Sequence, residues 1–145
     1  MRRIFVDANV LMAGAASPTG ASNAVMRLAE IGLFTLVVSR QVLDAVERNL
    51  RKKLPQALPT FAGLLAVMRL EVVPDASSAE SDRWAPLIEA KDAPILAAAV
   101  SAAVDRFLTL NPKDFTLDVA TPSGLLIQAP GEFIGQLRNL IDAGL

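Results

Sequence analysis

Short apolar, β-branched runs alternate with helix-patterned segments along this chain, and that alternation leaves few folds open. The strand-like runs are residues 4–6, 34–39 (FTLVVS), 70–74 (LEVVP), 105–110 (DRFLTL) and 124–128 (GLLIQ). Each is followed or preceded by a segment with helical spacing. After 4–6, Ser22 is positioned to cap a helix with Val25, Met26 and Leu28 on its apolar side and Gly32 as its stop. Val42, Leu43, Val46 and Leu50 share one face of a second helix, with Ser39 as cap. Pro55 and Pro59 break the chain before a helix over about 60–69, and residues 77–90 hold a helical turn interrupted at Pro86. KDAPILAAAVSAAV (91–104) reads as a helix with Asp92 at its start and Pro94 in the tolerated first turn. PGEFIGQLRNLIDAG (130–144) reads as a closing helix. Strands that are joined through helices cannot pair as hairpins; they line up in parallel, with helices covering the sheet. The expected fold is therefore α/β, a three-layer α/β/α sandwich on a mostly parallel central sheet, with residues 1–145 as a single domain.

Composition agrees and narrows the chemistry. At 52% hydrophobic residues, 145 residues can bury a proper core. No apolar stretch is long and clean enough to span a bilayer, and the opening MRRIFVDANV meets an aspartate too early for a signal peptide. The expectation is a soluble cytoplasmic protein. There is no cysteine and no histidine. That removes disulfides, Cys/His zinc sites, cysteine nucleophiles, Ser-His-Asp triads and histidine acid–base catalysis. Carboxylates, hydroxyls, amides, Lys, Arg or a hard metal ion must carry any chemistry. A net charge of −1 gives no global pull toward a polyanion, so nucleic acid would need a local basic patch.

In an open α/β sheet, ligands bind outside the carboxyl ends of the strands. Three groups of polar residues fall there. Asp7 and Asn9 follow the first strand, Asp92 begins the 91–104 helix, and Asn111 and Asp114 follow the fourth strand in TLNPKDF. Carboxylates crowded at one rim repel one another and stay ionised when a cation neutralises them. All-oxygen ligands select Mg²⁺ or Mn²⁺, and such an ion polarises a phosphodiester and activates water. Each residue taken singly has an ordinary alternative: Asp7 and Asp92 as helix caps, Asn111 before Pro112 as a turn former, Asp114 as a solvated loop acid.

Taken together, these stretches resemble the PIN-domain family, especially the small stand-alone bacterial kind related to VapC toxins. That family opens with a strand, an Asp, a small residue, Asn or Ser and an apolar residue, here RIFVDANVLMAG. A later Asp heads an Ala-rich helix, here KDAPILAAAV, and a strand then ends in Thr followed by an acid or amide, here DRFLTLNPKDF. Members often close with Pro, Glu and Phe before a last helix, as in APGEFIGQL. The resemblance implies a metal-dependent endoribonuclease with Mg²⁺ or Mn²⁺ held by Asp7 and Asp92. Asp114 or Asn111 would complete the site, and Asn9 and Thr109 would orient ligands or water. It also implies a homodimer, and a role as the toxin paired with a small antitoxin protein.

The chain departs from the family at two places. The family's helix-two Glu, laid on SRQVLDAV, falls on Ala45. The acidic neighbours Asp44 and Glu47 lie about 100° and about 200° away around a helix, so either reaches the site only if the helix is rotated or shifted. Asn111 stands where many relatives have Asp, which keeps an oxygen but loses a charge. Arg48, Arg51, Lys52 and Lys53 on the same helix are the best candidates for RNA-backbone contacts. Aromatic residues are 5%, so stacking of bases on an aromatic platform is not expected. A competing reading is a PIN fold with weakened catalysis, serving as an RNA- or protein-binding module. A haloacid-dehalogenase-type phosphatase also opens with a strand and Asp, but needs an acid two residues later, and Asn9 cannot protonate a leaving group.

Overall fold

The computed structural model describes residues 2–144. Its strands are β1 (Arg3–Val6), β2 (Thr35–Ser39), β3 (Leu70–Val73), β4 (Arg106–Leu108) and β5 (Leu126–Gln128). Its α-helices are α1 (Ala8–Ala16), α2 (Ala21–Glu30), α3 (Arg40–Lys53), α4 (Leu58–Val67), α5 (Ser78–Asp82), α6 (Ala93–Ser101), α7 (Leu117–Ser123) and α8 (Pro130–Asp142). The strands form one sheet in the order β3-β2-β1-β4-β5, and every pairing is parallel. The expected three-layer α/β/α architecture holds, with a sheet that is wholly rather than mostly parallel.

This order creates the crevice. From β1 the chain steps one way to β2 and β3, then returns across the sheet to β4 and β5 on the other side. Right-handed crossovers then place α1–α4 on one face and α5–α7 on the other. β1 and β4 are neighbours whose outgoing connections leave in opposite directions, so their carboxyl ends part and leave a cleft. The sheet below it is rigid. Phe5 pairs with Phe107 across β1 and β4, both fully buried, with rings stacked at 5.5 Å. Phe107 also packs against Phe115, which anchors the loop leaving β4.

Three elements differ from the sequence expectation, one of them α7, a short helix between β4 and β5 where the sequence reading placed no element. Residues 8–16 form a helix that the pattern did not reveal. ANVLMAGAA is apolar nearly all round because α1 is packed among α2, α3 and α4 and has no solvent stripe to mark its period. α2 is capped by Gly20 rather than Ser22. Ser22 is the second residue of the helix, buried where α2 meets α1. The close approach is visible at Gly14, whose carbonyl accepts from Asn23 Nδ2 at 2.8 Å. Gly32 ends α2 as expected, with φ +84°.

Candidate active site

The cleft is a cavity of about 500 Å³ at the carboxyl ends of β1 and β4, walled by α3 on one side and the start of α6 on the other. Asp7, Asn9, Asp92, Thr109, Asn111 and Asp114 all line it. Residues from opposite ends of the chain thus meet at one rim, as the topology requires.

Asp7 has two jobs. It is the N-cap of α1, its Oδ1 accepting from the Ala8 amide at 2.8 Å. Its Oδ2 accepts from the Thr109 hydroxyl at 3.1 Å. Thr109, at 1% exposure, is the hub of the rim. Its oxygen also accepts from Asn9 Nδ2 and from the Asn111 amide, both at 3.3 Å. Asn9 Oδ1 in turn accepts from the Leu110 amide at 3.2 Å. Strand β1, helix α1 and the loop after β4 are therefore tied together through Asp7, Asn9 and Thr109, and the Asp7 carboxylate is held in one orientation.

Asp92 is different. It precedes α6 with helical backbone angles and its side chain makes no capping bond. Asp92 thus holds the N-cap position of α6 without a side-chain capping bond, and among the described residues its carboxylate has no hydrogen-bond or ion-pair partner. Burial pushes the Asp7 carboxyl above its ordinary range, against the Ala8 amide, the Thr109 hydroxyl and Lys91, which favour ionisation. Burial also raises Asp92, and the negative charges of Asp7, Glu89 and Asp114 add to it while Lys91 opposes. Asp92 thus feels the charge of Asp7 across the cleft, and ionising it there is costly unless positive charge enters.

The donor set is all oxygen: the Asp7 and Asp92 carboxylates, the Asp114 carboxylate at the edge, the Asn111 amide and the Thr109 hydroxyl. Among the described residues no three Asp or Glu side chains stand close enough together to form a ready metal cage. The set fits a hard divalent ion shared by Asp7 and Asp92 and completed by water, which is how a small ion such as Mg²⁺ is ordinarily held.

Helix α3 turns out in the register that the sequence alignment gave. Ala45 itself faces the cleft, with Gln41, Val42, Arg48, Asn49 and Lys53. Asp44 and Glu47 are not among the residues that line it. They lie over a separate shallow depression on the outer side of α3, together with Arg51 and Lys52. Glu47 is committed to Arg51, one turn away, at 2.7 Å. The basic cluster is thereby divided: Lys53 borders the cleft, Arg48 borders both the cleft and the outer depression, and Arg51 and Lys52 border only the outer depression. Lys91 and Asn49 belong to the cleft and were not singled out from sequence. Asn49 lies one turn beyond Ala45 and Lys91 directly precedes Asp92, but only the packing of α3 and α6 around the cleft brings them to it.

A family model described as PIN domain matches residues 3–113. Two solved structures share the fold. One is VapBC2 from Rickettsia felis, bound to a DNA fragment from its promoter. It superposes with a TM-score of 0.66 at 17% identity, over 88% of this chain and 98% of that one. The other is PAE2754 from Pyrobaculum aerophilum, with a TM-score of 0.60 at 16% identity, over 92% of this chain and 88% of that one. No curated protein sequence matches the chain significantly. At these identities the structures speak for the fold, and the family match spans the strand that carries Asp7, the helix that Asp92 heads and the loop that holds Asn111. The chain belongs to the PIN-domain family, whose members are generally nucleases.

Proposed function

We propose that this protein is a divalent-metal-dependent endoribonuclease that hydrolyses RNA phosphodiesters. The observation that carries the reading is that Asp7, Asp92 and Asp114, from distant parts of the chain, line one cleft at the switch point of the sheet. A Mg²⁺ or Mn²⁺ ion held there supplies charge neutralisation at the phosphate and activation of the attacking water. The chain's own residues do the rest. Thr109 and the Ala8 amide fix the Asp7 carboxylate, and Asn9 holds Thr109 and the Leu110 amide in place. Asp92, whose carboxylate has no other partner among the described residues, would be available to hold the ion together with Asp7. Asn111 and Asp114 supply further oxygens at the open edge, directly or through water. RNA hydrolysis by the purified chain in Mn²⁺ or Mg²⁺, abolished by chelation and by Asp7→Asn, tests the reading. Cleavage that persists in chelator contradicts it.

One observation favours a second reading. Ala45 occupies the cleft wall and Asn111 the rim, so two positions that carry acids in many relatives carry none here. That arrangement suits a weakened catalyst acting as a binding module, and a protein that binds neither Mn²⁺ nor cleaves RNA supports it. The likeness to VapBC2 supports a toxin role with a small antitoxin partner, and the same reading includes a homodimer acting in the cytoplasm. Among the described residues no helix is long and apolar enough to cross a membrane.

A further inference from the structure

The two walls of the cleft carry opposite charge. Asp7, Asp92 and Asp114 lie on the β1, α6 and β4 side, and Arg48 and Lys53 on the α3 side. Lys91 acts on Asp7 and Asp92, so its charge is used within the acidic wall. Arg48 and Lys53 are not used in that way. Among the described residues neither forms an ion pair, whereas Arg51 on the outer side of the same helix is held by Glu47. On the helical wheel Arg48 lies about 60° to one side of Ala45 and Lys53 about 80° to the other. Both lie C-terminal to Ala45, about 4.5 Å and about 12 Å along the helix axis, and both border the cleft, Arg48 also bordering the outer depression with Asp44 and Glu47. The Asn49 amide donates to the Ala45 carbonyl at 2.8 Å and leaves the space in front open.

We propose that Arg48 and Lys53 form a phosphate seat on the α3 wall of the cleft that grips the RNA backbone without a divalent ion. The seat rests on the ribonuclease reading of the cleft and adds how the strand is held. A phosphodiester between the walls meets two cations on α3 and presents its other face to Asp7 and Asp92. Arg48 offers a fork of N–H donors and Lys53 a mobile point charge, which is a combination suited to phosphate oxygens and indifferent to base identity.

The test is fluorescence anisotropy of a labelled single-stranded RNA in excess chelator, over a salt series. Wild type is expected to bind. Arg48→Ala with Lys53→Ala is expected to weaken binding about tenfold and to lower the slope of log affinity against log salt by about 1.4, or about 0.7 per lost phosphate contact. Arg51→Ala with Lys52→Ala removes the same charge from the outer side of the helix and is expected to leave affinity within about twofold. The proposal is overturned if wild type does not bind without metal, if the Arg48/Lys53 variant binds like wild type, or if the outer pair weakens binding as much as the inner. The outcome is separable from that of the nuclease reading. Binding through Arg48 and Lys53 in a protein that never cleaves RNA keeps the seat and removes the nuclease. Metal-dependent cleavage with metal-free binding indifferent to Arg48 and Lys53 does the reverse.

Discussion

Asp7 shows how one side chain can serve folding and chemistry at once. Its first oxygen starts helix α1 and its second is bonded to Thr109, so the carboxylate is anchored before any ligand arrives. Asp92 is unanchored, and without a counter-ion it is a burden. Its folded pKa is raised, so the folded state resists ionisation. Stability is then lost as pH rises from the ordinary value of 3.8 toward the raised one, and stays lost above it. Asp92→Asn is therefore expected to stabilise the metal-free protein at neutral pH. With the discount for partial exposure the gain is about 0.5 kcal/mol, near 2 °C in Tm, vanishing in acid. Thermal unfolding in chelator at several pH values checks this. Ala45 gives the opposite experiment. Ala45→Glu places a fourth carboxylate in the cleft, and calorimetric titration is expected to show Mn²⁺ affinity rising by about tenfold or more. Unchanged affinity would mean that position 45 does not reach the ion.

At the scale of elements, the strands and the amphipathic helices were legible because burial imposed a period on them. The Val42–Val46–Leu50 stripe of α3 is fully buried, and this stripe fixed the helix rotation that put Ala45 inward and Asp44 and Glu47 outward. α1 was illegible for the converse reason: packed on most sides, it carries no polar face to set a period. The site was legible where a residue sits at a strand end, as Asp7, Thr109 and Asn111 do. It was hidden where only tertiary packing decides, as for Lys91 and Asn49. Across the sheet, Arg3 of β1 reaches over β2 to Glu71 of β3, pairing at 2.6 Å. The Arg3 guanidinium holds the Glu71 carboxyl below its ordinary value of 4.5. The pair's contribution is thus present above that value and lost as pH falls through the depressed one. Both groups are about one-third exposed, so Glu71→Gln is expected to cost about 0.5 kcal/mol at neutral pH. Urea unfolding at neutral pH and at about pH 3 should show the difference shrinking in acid.

The whole molecule is a rigid parallel sheet with its chemistry at one rim, and the topology makes that rim inevitable. The order β3-β2-β1-β4-β5 parts the connections beside β1 and β4, and the chain places Asp7 after one and Thr109, Asn111 and Asp114 after the other. α6 then brings Asp92 in from the far face, and α3 supplies a basic wall where an acid is expected. The central claim is that Asp7 and Asp92 act as one unit in metal-dependent RNA hydrolysis. Groups that act as a unit are not additive when removed. Single-turnover cleavage of RNA in Mn²⁺ should therefore be compared for wild type, Asp7→Asn, Asp92→Asn and the double variant. Each single change is predicted to slow cleavage by about a hundredfold or more, with the double variant no slower than the worse single. Cleavage that survives in the double variant at the wild-type rate would contradict the account.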